Sequence, residues 1–218
     1  MKIILTGNTG LIGAEVLTQC LANPAITSIV AISRRDLPIQ HPKLKQIQHS
    51  DFNSYPQPLL DELKGAEACI WSLGIAMPKT MQEGQRINQE YPLAAAKAFA
   101  RNRDGKPFRF VYVSGKLVEK DQNKKLWIVG DSRKMRGRTE LEMVKLNSPG
   151  NEIHIMRPGF VGAKGSSFKD TAMGVLVKMI KEDWLAASLV DVATKGGNQQ
   201  FYEMDDLMKI GEAIVSKS

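Results

Sequence analysis

The chain has 218 residues, 43% hydrophobic, 24% charged and 6% aromatic, with a formal net charge of +7. That length and balance fit one globular domain with a large core, and the chain shows no internal repeat, linker or low-complexity stretch. No window approaches the ~18 apolar residues that span a bilayer. The basic excess, part of it between Lys116 and Arg138, is not interleaved with base-stacking aromatics, so neither a membrane nor a nucleic acid is expected as a partner.

The opening Met1-Lys2-Ile3-Ile4-Leu5 stops at Thr6-Gly7 with no cleavage site behind it, which predicts a cytoplasmic protein. Residues 2–6 read as the first strand and 11–22 as a helix stopped by Asn23-Pro24, since proline disfavours a helical residue before it. The β-branched stretch 27–33 reads as strand two, 44–49 as a weaker third strand and 58–64 as a short helix or crossover. Residues 66–73 read as strand four, 80–102 as one long helix with an alanine-rich face, and 108–114 as the clearest strand. A helix at 136–147, strand six at 152–156, a helix at 171–187, a late strand at 200–202 and a last helix at 205–215 follow. Asp205-Asp206 suit the positive end of that last helix's dipole.

This alternation predicts an α/β protein: a Rossmann-type, doubly wound parallel sheet with right-handed crossovers and a small C-terminal substrate-side lobe. One domain is expected over 1–218, with 1–162 as the nucleotide core and 163–218 as the substrate-side and C-terminal segment. Cys20 and Cys69 read as small buried hydrophobes. His41, His49 and His154 are scattered, so no metal is expected. Trp127 and Trp184 read as packing residues, and Met173 and Met179 as core or pocket wall. Residues 164–169 read equally as a flap or an exposed loop.

The feature that points to function is Gly7-Asn8-Thr9-Gly10-Leu11-Ile12-Gly13, between the first strand and the first helix. Glycines allow a tight turn and close approach of a ligand, and the helix N-terminus aims N–H groups at phosphates. An ordinary strand–helix turn is the plainer account of the same residues. A carboxylate at the end of strand two selects NAD by binding the ribose diol. Here that strand ends in Ser33-Arg34-Arg35, whose guanidinium forks suit a 2′-phosphate, so NADP(H) is the expected cofactor.

Taken in order, Gly7-x-x-Gly10-x-x-Gly13, Ser33-Arg34-Arg35, Asp51-Phe52, Ser72-Leu73-Gly74, Val113-Ser114 and Arg157-Pro158-Gly159 resemble the atypical short-chain dehydrogenase/reductases, in particular their small, epimerase-like NAD(P)H-binding members. The likeness covers residues 1 to about 162. The resemblance implies that Asp51 and Phe52 border the adenine. It implies that Leu73 and Gly74 cover the adenosine ribose and pyrophosphate, and that Pro158, Gly159, Phe160 and Val161 line the nicotinamide. Ser114 would bond a substrate carbonyl or hydroxyl. The family's catalytic Tyr-x-x-x-Lys is replaced: the best register puts Ser132 at the tyrosine and Arg136 at the lysine. Arg136 would bind ribose hydroxyls and stabilise charge, but stays protonated and gives no proton.

Three functions follow from that set. The first is an NADPH-dependent oxidoreductase that reduces a carbonyl or enone of a small organic substrate, with Ser114, Lys116, Ser132 or water as acid and Arg136 stabilising charge. The second is a non-redox isomerase, cyclase or dehydratase on the same scaffold. The third is an NADPH-sensing regulatory binding protein. Homodimerisation through a long helix face stays open beside a solvated face.

Overall fold

The computed structural model describes residues 1–103, 105–115, 117–127, 130–164 and 178–217. Its centre is a seven-stranded sheet in the order β3-β2-β1-β4-β5-β6-β9, made of β1 (Lys2–Thr6), β2 (Ser28–Ser33), β3 (Leu44–Gln48), β4 (Ala68–Trp71), β5 (Phe108–Val113), β6 (Asn151–Arg157) and β9 (Phe201–Glu203). Every neighbouring pair is parallel. Central strands are apolar on both faces, as a doubly covered parallel sheet requires; all four residues of β4 are buried. The edge strand β3, Leu-Lys-Gln-Ile-Gln, has no fully buried residue.

Alternate residues feed two cores. Ile3, Leu5, Ile29, Ala31 and Ile70 face α1 (Leu11–Ala22), α6 (Glu182–Lys195) and α7 (Met204–Val215). Ile4, Val30, Ile32, Cys69 and Trp71 face α2 (Gln57–Leu63), α4 (Tyr91–Arg101) and α5 (Gly130–Val144). Cys20 and Cys69 are both free thiols in these cores, and burial pushes the Cys20 thiol up to about 12. The chain runs outward to β3, then returns to lay β4 beside β1. That reversal opens a crevice beyond the carboxyl ends of β1 and β4, where open α/β sheets bind ligands.

Most predicted elements lie within two residues of their observed bounds, and three differ more. The helix expected at 80–102 is α3 (Met81–Gln85), a π-helical turn (Arg86–Glu90) and α4. The π-turn shows in the Tyr91 N–H, which reaches back five residues to Arg86 O. Pro92 has no N–H to offer Asn88 O, and the Tyr112 hydroxyl donates to that carbonyl instead, at 3.1 Å. The helix expected at 136–147 begins six residues earlier, at Gly130. Its first turns, Asp-Ser-Arg-Lys, are too polar to show an apolar stripe. The helix expected at 171–187 is replaced, where described, by β8 (Met179–Lys181), which pairs with β7 (Phe160–Gly162), and by α6 from Glu182. Glu182 and Asp183 mark a helix start, and Gly196 at φ +80° ends it. Met179 is thus a strand residue; Met173 and residues 165–169 lie outside the described residues. Trp127 is fully exposed and packs against nothing, contrary to expectation. Lys181 Nζ sits 5.0 Å over the half-buried Trp184 ring.

Candidate functional site

The first strand delivers the chain into the glycine turn. Gly7 has φ +75°, and a Cβ there would sit 2.6 Å from the Ser72 carbonyl carbon. A Cβ on Gly13 would sit 2.1 Å from Gly7 O. Two of the three glycines are therefore required by protein packing alone. At Gly10 a Cβ would meet only Gly7 O, at 3.4 Å. Gly10 is the N-cap of α1, with no side-chain cap and no acid in the first turn. The first N–H groups of α1, on Leu11 and Ile12, have no intrahelical acceptor and meet no competing carboxylate. Such an N-terminus accepts phosphate oxygens readily.

Beside it lies a cleft of about 150 Å³ lined by Gly7, Asn8, Thr9, Ile32, Ser33, Arg34, Arg35, Phe52 and Leu73. Nine residues from four stretches of sequence thus meet at the switch point. Ser33 Oγ donates to Arg35 O at 2.5 Å and shapes the turn that presents both arginines to solvent. Phe52 is buried edge-on to Trp71, so it forms the floor. Asp51 is exposed, and its Oδ1 accepts from Asn53 N; it holds the turn rather than lining the cleft. The cleft sets the free N–H groups of the α1 N-terminus beside two exposed guanidinium groups, a donor set suited to phosphate oxygens.

The second half of the site lies beyond the carboxyl ends of β4, β5 and β6. Ser114 Oγ donates to Glu140 Oε1 at 2.7 Å. Glu140 is fully buried on α5, and Arg157, at the end of β6, clasps both its oxygens: Nε donates to Oε1 at 3.0 Å and Nη2 to Oε2. Arg157 Nη1 also donates to Glu203 Oε1 at 2.6 Å. These carboxylates raise the Arg157 pKa against the opposing effect of burial, Glu140 being the larger cause. Arg157 also lies 4.7 Å over the Phe201 ring, and Lys120 lies 3.9 Å from the same ring centre.

One turn before Glu140, Arg136 lays its guanidinium over Gly115, where a Cβ would be 2.9 Å from Nη1. Its Nη2 donates to Ile75 O and Ala76 O at 3.4 and 3.3 Å. Asn88, in the π-turn, holds that same loop from below: Ile75 N donates to its Oδ1 and its Nδ2 donates to Ile75 O, both at 2.8 Å. Ser132 is half-buried on α5. Pro158 is buried, Gly159 has φ +71°, Val161 is half-buried and Phe160 is 61% exposed. Lys116 lies outside the described residues.

The structure thus brings Ser114 and Arg136 together around Gly115. Glu140 and Asn88 carry the positioning and had no assigned role in the sequence. Glu140 repeats the four-residue spacing of Ser132 and Arg136 on one helix face, a signal present but easily taken for a solvated charge.

No family model matches the chain. Leucinostatins biosynthesis cluster protein T of Purpureocillium lilacinum is 43% identical over 117 residues, covering 52% of this chain and 42% of that protein. The match thus spans less than half of that relative's length. The mitochondrial protein FMP52 of Candida albicans is 22% identical over 98% of this chain and its own full length. Among solved structures, a short-chain dehydrogenase from Burkholderia cenocepacia in complex with NADP is 15% identical, with a TM-score of 0.69 over 99% of this chain and 94% of its own. MoeE5 in complex with UDP-glucose and NAD is 14% identical, with a TM-score of 0.69 over 99% of this chain and 82% of its own. No helix among the described residues is long and apolar enough to cross a membrane, and the mitochondrial name of one relative leaves the cytoplasmic expectation without support. Seven parallel strands, a glycine turn at the switch point and these structural likenesses give the chain the Rossmann-type fold of the atypical, epimerase-like short-chain dehydrogenase/reductases.

Proposed function

We propose that this protein is an NADP(H)-dependent reductase acting on a carbonyl or enone of a small organic substrate, without a catalytic tyrosine. The observation that carries the reading is the cleft that joins Gly7-Asn8-Thr9 to Arg34 and Arg35. Both arginines are exposed at the end of β2, where a bound nucleotide would place its 2′-phosphate. The solved structures of this fold with NADP and with NAD support a nicotinamide cofactor, and the two arginines favour the phosphorylated form. The cofactor supplies a hydride when bound. Residues of the chain do the rest: the α1 N-terminus receives the pyrophosphate, Phe52 and Leu73 enclose the adenosine, and Pro158 to Val161 flank the far end. Arg136, beside Ser114 and Gly115, orients the substrate oxygen.

The test is a titration with NADPH and NADH, read by bound-cofactor fluorescence and Tm. Wild-type protein should bind NADPH more tightly, and Arg34→Ala/Arg35→Ala should lose NADPH affinity by 10-fold or more, at about 1.4 kcal/mol per tenfold, with little change for NADH. Equal losses for the two cofactors would refute the assignment. Transfer of deuterium from labelled NADPH to a carbonyl or enone establishes the reaction. The non-redox and regulatory readings predict instead a protein that binds NADPH and transfers no label. Homodimerisation is proposed through an exposed helix face and is read by sedimentation.

A further inference from the structure

Ser114 and Arg136 carry opposite hydrogen-bonding commitments. The single hydrogen of Ser114 Oγ is given to Glu140. Glu140, held on both oxygens by Arg157, only accepts. Ser114 therefore shows a substrate its lone pairs and not its proton. Arg136 is the reverse. Its bonds among the described residues go to two backbone carbonyls through Nη2 alone. The carboxylate one turn away on the same helix is already spent on Arg157 and Ser114. A half-buried cation thus faces the site with no carboxylate paired to it among the described residues.

No described side chain beside it is acidic enough to serve as a proton donor: Ser132, one turn earlier on the same face, offers only an alcohol, about as weak an acid as water. Tyr112 gives its hydroxyl to Asn88 O deep in the core, and burial pushes its phenol far above the usual range. His49 packs between Phe52 and Tyr55, and His154 bonds Gln199 O.

We infer that Arg136 is the receptor for an oxyanion that stays unprotonated in the site, so that the substrate is a conjugated carbonyl passing through an enolate. The inference rests on the reductase reading above, and a magnitude decides it. A simple alkoxide is about as basic as hydroxide, with water at about 15.7. A delocalised oxyanion resembles phenolate, at about 10. One adjacent cation moves a pKa by about 1–3 units. That brings the delocalised anion near physiological pH and leaves the alkoxide far above it, in need of an acid that no described side chain beside Arg136 supplies.

The step balances without such an acid. A reduced nicotinamide, when bound, would supply the hydride that bonds to the β-carbon and would itself be left oxidised. The C=C electron pair shifts to form the enolate double bond, and the C=O π pair moves onto the oxygen facing Arg136. The carbonyl then re-forms as the α-carbon takes a proton from water, leaving hydroxide to the buffer.

The test uses nitrophenols of graded acidity as enolate mimics, with the full chain, with and without NADP⁺, and reads the phenolate absorbance band. Wild-type protein should bind the ionised form and raise the ionisation constant by about 10- to 1,000-fold. Arg136→Lys should keep part of that shift and Arg136→Gln should lose it, with the Tm of each variant confirming the fold. Bound phenols with unshifted ionisation, the same shift in Arg136→Gln, or no binding at millimolar phenol each overturn the inference. NADPH is titrated in parallel. Failure of NADPH to bind while the phenolate shift persists rejects the reductase reading and leaves Arg136 as an oxyanion receptor.

Discussion

Replacing Arg157 by methionine isolates the energetics on which the site stands. Arg157 is 15% exposed in its side chain and Glu140 is not exposed at all. Removing the guanidinium leaves a buried carboxylate whose remaining donor is the Ser114 hydroxyl. Breaking one half of such a pair costs about 3–5 kcal/mol. The bond to Glu203 adds little, because that carboxylate is 52% exposed and exposed pairs contribute less than about 1 kcal/mol. In a chain of this size each kcal/mol lowers Tm by about 2–4 °C, so the expected fall is about 6–20 °C. The double variant Glu140→Leu/Arg157→Met should recover most of it, since an apolar pair of similar volume replaces a buried ion pair at little cost. Urea unfolding of the parent, both single variants and the double variant measures the coupling. If Arg157→Met costs no more than Glu203→Ala, the buried pair is not what holds Ser114 in place.

Two further outcomes follow from the geometry. Gly13→Ala should abolish NADPH binding and lower Tm, since its Cβ would lie 2.1 Å from Gly7 O, while Gly10→Ala, with 3.4 Å of room, should be mild; equal behaviour of the two variants in a thermal-shift titration would falsify the packing account of the turn. Tyr112→Phe should cost about 0.5–1.5 kcal/mol at neutral pH by losing its bond to Asn88 O. Burial raises the Tyr112 phenol in the folded state, so its contribution is complete below about pH 10, the unfolded value, and is lost as pH climbs beyond it. The variant should therefore lose Tm less steeply than the parent between pH 9 and 11.5, by up to about 1.4 kcal/mol per pH unit. Parallel curves would show that the ionisation of Tyr112 does not contribute.

The strands were legible because β1, β2, β4 and β5 bury both faces, and a short unbroken apolar run between turn residues has few other readings. The helices of the second half were harder. α6 is buried nearly all round, Leu-Ala-Ala-Ser-Leu-Val over 185–190, so it shows no apolar stripe by which to fix its limits. The start of α5 is polar and only half-buried, with no apolar residue before Met135 to mark it. At the site, Gly7, Arg34 and Arg35 were readable because local chemistry sets their roles. Glu140 was not: its role depends on Arg157 seventeen residues later and on Ser114 from another strand, a meeting that only the assembled sheet produces. The part played by Asn88 was hidden for the same reason. Its significance comes from a proline four residues on and a loop thirteen residues back.

The placement of α6 sets an order of events during synthesis. The sheet face formed by Ile3, Leu5, Ile29, Ala31 and Ile70 is completed by Leu185, Ala186, Leu189, Val190 and Ala193. While the first six strands emerge from the ribosome, that greasy surface has only α1 to shelter it. The nascent chain must carry it, uncovered or chaperoned, until the residues of α6 have been added.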